Sequence, residues 1–140
     1  MMDWKDCIKK RIAKEVNLDL DLIKSLIKTS DNKLRSEEKL SLDAFTSSSK
    51  ISLAHDSLRE ILEAFAIKIG YKIYNHECYT CFLKEILAES AKGDEFDELR
   101  KIRNNINYYG KEISLDEASD LLARIKELRK EILKLLGSYN

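Results

Sequence analysis

The sequence predicts an all-α protein, a bundle of five or six helices in up-and-down order, and three observations carry that prediction. Apolar residues recur at i, i+3, i+4 and i+7 over long stretches, no stretch alternates at period 2, and the 140 residues hold no proline and only four glycines. Without such breakers, helices joined by short turns are the consistent solution. The length suits one domain, residues 1–140, and a chain of this size buries roughly two-thirds of its unfolded surface.

In chain order, Trp4, Ile8, Ile12 and Val16 predict a first helix, with a break at Asn17 or Asp19. Leu22, Ile23, Leu26, Ile27 and Leu34 predict a second, which turns polar past Ser30. Thr46-Ser47-Ser48-Ser49 is a connector with Ser49 as N-cap. Ile51, Ala54, Leu58, Ile61, Leu62, Phe65 and Ile69 then line one face of a third helix that Gly70 caps. His76 to Ser90 reads as a helix, Gly93 as a separator, and Asp94 to about Tyr109 as another helix closed by Gly110. Ser114-Leu115-Asp116-Glu117 is a capping box opening a last helix, whose stripe from Ala118 to Leu136 stops at Gly137.

Charge narrows the function classes. The 25 Lys plus Arg balance 25 Asp plus Glu, so a general polyanion binder is excluded and any phosphate recognition must be local. No apolar run approaches the ~20 residues of a membrane span, and Met1-Met2-Asp3-Trp4-Lys5-Asp6 lacks the basic and apolar regions of a signal peptide. A cytoplasmic protein with no membrane partner is the expectation. Three cysteines, Cys7, Cys78 and Cys81, are odd and few, which predicts reduced thiols. His76 with Cys78 and Cys81 makes only three of the four ligands structural zinc requires, and two cysteines at i, i+3 on an amphipathic helix read as small core residues, so no metal or cofactor is expected. His55, beside Asp56 and near Arg59, reads as a satisfied helix residue, and the Glu and Lys–Glu pairs elsewhere as solvated helix faces.

The segment Arg100-Lys101-Ile102-Arg103-Asn104-Asn105-Ile106-Asn107-Tyr108-Tyr109-Gly110 is the informative one. On a helical wheel Arg103 falls at the border of the apolar arc with Asn107 and Arg100 beside it, and a guanidinium there requires an anionic or carbonyl partner. One reading is a phosphate site with Arg103 as bidentate clamp and Tyr108 or Tyr109 stacking on a base or donating a proton. The competing reading pairs Arg103 with a carboxylate and uses the tyrosines to cap the core.

Arg103-Asn104 opening that motif, the helix around Ala54-His55-Asp56-Ser57-Leu58-Arg59-Glu60, and Gly70-Tyr71-Lys72 followed by Asn75-His76-Glu77 together resemble archaeal and bacterial HEPN domains over most of the chain. The resemblance implies a helical bundle that pairs as a homodimer through the motif helix. It also implies, for active members, RNA cleavage without metal: Arg holds the scissile phosphate and a motif His moves the proton of the attacking 2′-hydroxyl. Here the Arg is Arg103, the next polar residue is Asn104, and the His position holds Tyr108. At pH 7 about one phenol in a thousand is ionised, so Tyr108 is a poor general base, and weak or no ribonuclease activity follows unless His76 carries the proton. Arg100, Lys101, Asn107 and Tyr109 are the further candidates for nucleic-acid contact, and RNA or a nucleotide the candidate ligand. The resemblance further implies partnership with a small nucleotidyltransferase, in a toxin–antitoxin pairing in which Tyr108 or Tyr109 accepts the nucleotidyl group. Against all this stands a non-catalytic interaction module whose motif helix is only a dimer interface.

Overall fold

A computed structural model describes residues 2–109 and 112–139 of the chain, and of Tyr108 and Tyr109 the backbone alone. Gly110, expected to close a helix, therefore lies outside the described residues, as does Lys111. Helix α1 (Trp4–Lys9) starts from a capping box in which Asp3 and Asp6 exchange side-chain-to-backbone bonds. It does not continue to Val16 as the apolar spacing predicts. Arg11 takes a left-handed φ of 59°, its N–H bonds back to the Ile8 carbonyl and that of Ile12 to the Cys7 carbonyl. This is a Schellman stop made without glycine, so sequence offers no sign of it.

The chain leaves that stop as strand β1 (Ala13–Glu15). Helix α2 (Leu20–Lys39) opens with the Asp19 carboxylate accepting from the Leu22 N–H, and α3 (Ser47–Ile69) packs along its length. The expected cap Ser49 lies inside α3, which Thr46 precedes while the Asp43 carboxylate accepts from the Phe45 and Thr46 N–H groups. At the far end Gly70, φ 113°, caps α3 as predicted. Strand β2 (Tyr71–Ile73) follows and pairs antiparallel with β1, Lys14 opposite Lys72. This two-stranded ribbon is the one departure from helices among the described residues.

The helix expected over His76–Ser90 is shorter and broken. Helix α4 (His76–Cys81), capped by the Asn75 side chain, passes into a π-turn at Phe82–Ile86, and Ala88 at φ 54° ends it. Helix α5 (Ser90–Tyr109) begins before Gly93, which is no separator. A Cβ on Gly93 would lie 2.3 Å from Lys84 Cγ and 3.3 Å from the Thr80 carbonyl oxygen, so this glycine lets α5 and α4 touch. Helix α6 (Leu115–Ser138) starts from the predicted Ser114–Glu117 capping box and passes through Gly137, whose missing side chain nothing crowds.

The α3 stripe forms the centre of the core, with Ile51, Leu58, Ile61, Leu62 and Phe65 fully buried, flanked by α2 and by α6 through Ile125, Leu128 and Ile132. Polar partners explain why α2 continues past Ser30. Ser30 Oγ donates to the Ser57 carbonyl and accepts from Arg129 Nε, and fully buried Glu37 pairs with Lys50 and Lys126. Buried charge is tolerated when it is paired, so a polar stretch forms a seam here and not a solvated face.

Cys7 and Cys78 are joined by a disulfide that fastens α1 to α4, contrary to the reduced thiols expected from an odd cysteine count. Parity says nothing about proximity, and helix packing sets their Cα atoms 6.0 Å apart. Cys81 stays free and buried, its thiol pushed up to about 11, chiefly by burial.

Candidate functional site

Three elements converge on one open cleft, lined by Asp56, Arg59, Tyr74, Asn75, His76, Arg103 and Asn104. Helix α3 supplies Asp56 and Arg59 from its border, where the apolar stripe meets solvent, with His55 buried beneath them. The β2–α4 junction supplies Tyr74, Asn75 and His76. From α5 come Arg103 and Asn104, with Phe96 and Arg100 placed at i−7 and i−3 from Arg103 on the same side of the helix.

Beneath the cleft the aromatic rings stack. His55, wholly buried, lies 5.6 Å from His76 and 5.8 Å from Phe96, nearly parallel to both. Neither nitrogen of His55 has a hydrogen-bond partner. Burial, reinforced by Arg103 and by His76, holds His55 down to about 3. His76 is held down to about 4, again mainly by burial, then by Arg103, Arg100 and Arg59, with Asp56 opposing. At neutral pH both imidazoles are uncharged, and the site's positive charge comes from arginine.

Arg103 reaches Asp56 at 3.5 Å, long for a charge-assisted bond, and its side chain is 14% exposed. Arg59 pairs loosely with Glu63, also at 3.5 Å. Each guanidinium thus has a carboxylate beside it.

Of the residues singled out from sequence, Arg103, Asn104 and His76 meet here, although 27 positions separate His76 from Arg103. Arg100 and Lys101 turn to Asp97, at 2.8 and 2.9 Å, and line a different pocket with Lys84 and Asp94. Asn107 donates to Ser52 Oγ and accepts from Ser48 Oγ, which ties α5 to the start of α3. The side chains of Tyr108 and Tyr109 lie outside the described residues. Sequence reasoning does not single out His55, Asp56, Arg59, Tyr74 or Asn75 as site residues. The His-Asp-x-x-Arg run and the Tyr-Asn-His run were the available signals. Among the described residues no group of His, Cys, Asp or Glu is placed to hold a metal, and the disulfide takes Cys78 out of the Cys-x-x-Cys set.

Fold and site together define a helical-bundle protein with an arginine–histidine cleft between α3, α4 and α5. Compared with known proteins, the chain matches no family model, no curated protein and no solved structure. Among the described residues, no helix is long and apolar enough to cross a membrane.

Proposed function

We infer that the cleft binds the phosphate of RNA or of a nucleotide, in a HEPN-like homodimer with weak or no metal-independent ribonuclease activity. The observation that carries this reading is the convergence of Arg59 and Arg103 with the amides of Asn75 and Asn104 and the imidazole of His76 in one open cleft. A phosphodiester presents the paired oxygens that a guanidinium such as that of Arg103 recognises in a bidentate manner.

His76 is neutral at pH 7 and so has a lone pair for the proton of a 2′-hydroxyl, but a base of pKa about 4 has little drive to take it. A phosphate seated on the arginines offsets part of the repulsion that holds His76 down, so ligand binding strengthens the base. The site is thus suited to binding more than to cleavage. A second reading, the interaction module, is favoured by the contact of Arg103 with Asp56, which serves a structural role without any ligand. Partnership with a nucleotidyltransferase rests on the resemblance alone; an unchanged intact mass after co-expression with such an enzyme counts against it.

The test compares the wild type and Arg103→Ala with mixed single-stranded RNA in EDTA, reading retention and cleavage together. The expected result is binding that the variant weakens by about 1.5–3 kcal/mol, with folding and dimerisation intact. Cleavage lost in the variant establishes a nuclease. No binding by the wild type, with a variant that is merely less stable or less dimeric, establishes the interaction module.

A further inference from the structure

One face of the β1–β2 ribbon joins the core: Ala13 and Ile73 are buried, and Tyr71 packs edge-on against Trp4. Its other face carries Lys14 and Lys72, directly opposed in the antiparallel register, and Tyr74, two residues beyond Lys72 and so on the same side. The Tyr74 N–H donates to the Ile12 carbonyl, which extends the ladder and holds Tyr74 in place. Tyr74 is 56% exposed, and the Lys14 and Lys72 ammonium groups lie over its ring, 5.4 and 5.8 Å from the centre.

Two features of this face call for a ligand. Like charges directly across a strand pair are unfavourable, and among the described residues the two lysines contact the Tyr74 ring and no carboxylate. The exposed Tyr74 ring, over which both ammonium groups lie, stands at the rim of the Arg103 cleft, which it also lines. Cations flanking an exposed ring form the combination that recognises single-stranded nucleic acid, since every base has a face to stack and a phosphate beside it. The neutral net charge of the chain makes this local grouping the more notable.

We propose that Tyr74, Lys14 and Lys72 form a stacking platform that receives one nucleotide of a single-stranded RNA, the base on the Tyr74 ring and its flanking phosphates on the lysines, and leads the strand into the Arg103 cleft. The proposal rests on the phosphate-binding reading of that cleft and adds the outer subsite. Base identity matters little on such a platform, because stacking uses the π-face and not the hydrogen-bonding edges.

Fluorescence anisotropy with a labelled 12-nucleotide oligouridylate and the full-length protein tests it, using Tyr74→Ala, Tyr74→Phe, the Lys14→Ala/Lys72→Ala pair and Arg103→Ala. Tyr74→Ala is expected to weaken binding about tenfold while Tyr74→Phe, which keeps the ring, stays near wild type. The double lysine variant is expected to reduce the slope of log K against log salt by about 1.4, two phosphate contacts on a single strand. These side chains lie outside the core, and unchanged melting temperatures confirm that folding is intact. Binding that Arg103→Ala abolishes but Tyr74→Ala leaves untouched overturns the platform and keeps the cleft. Equal losses in Tyr74→Ala and Tyr74→Phe overturn stacking in favour of a hydroxyl contact, and no binding by the wild type overturns cleft and platform together.

Discussion

Arg103, His76 and Asp56 form a small electrostatic circuit, and its state is measurable. Arg103 depresses the His76 pKa and Asp56 raises it, so changes in either neighbour must be felt at the imidazole. Arg103→Gln is expected to raise the His76 pKa above about 4, and Asp56→Asn to lower it further, both read by NMR titration of the ring protons. Inorganic phosphate at millimolar concentration is expected to shift wild-type His76 upward and to have little effect in Arg103→Gln. A His76 titration indifferent to phosphate, in protein shown to bind RNA, would place the phosphate elsewhere.

At the scale of elements, two contacts decide how α1, α4 and α5 meet. Gly93 sits inside α5, where alanine ordinarily gains helix stability over glycine. A Cβ there meets Lys84 Cγ at 2.3 Å, and moving Lys84 also disturbs its pairing with Asp94 at 2.7 Å. Gly93→Ala is therefore expected to destabilise by about 1 kcal/mol, the lower range for overpacking, in urea unfolding. The Cys7–Cys78 disulfide closes a loop of 71 residues' separation. Its reduction, or Cys7→Ser, is expected to cost about 2–4 kcal/mol and to show first as fraying of α1 in hydrogen exchange.

For the whole molecule, the stacked pair of buried His55 and half-buried His76 sets the acid response. Both histidines have native values, about 3 and about 4, below the ordinary 6.5, so between those limits the unfolded chain binds more protons than the native one. Stability from this source is complete above pH ~6.5 and falls as pH drops toward 4 and then 3. Thermal melts from pH 7 to 4 are expected to show that decline, and His55→Leu to lessen it, because the wholly buried imidazole with two unpartnered nitrogens is replaced by an apolar side chain. An unchanged slope in His55→Leu would place the acid sensitivity elsewhere.

The sequence by itself determined the helical class, the α3 and α6 stripes, the Gly70 cap and the Ser114 capping box, because helix periodicity and capping are encoded within a few residues of where they act. It also marked Arg103, whose charge at the edge of an apolar arc needs a partner. Tertiary structure alone decided that partner. Bringing His76 and Asp56 to Arg103 depends on how α3, α4 and α5 pack, and no local spacing records that. The same holds for the β1–β2 ribbon, the polar seam at Glu37 and the Cys7–Cys78 bond, each stabilised by residues remote in sequence. Arg100, Lys101 and Asn107 share Arg103's segment but not its cleft, since small angular differences around α5 point them toward different neighbours.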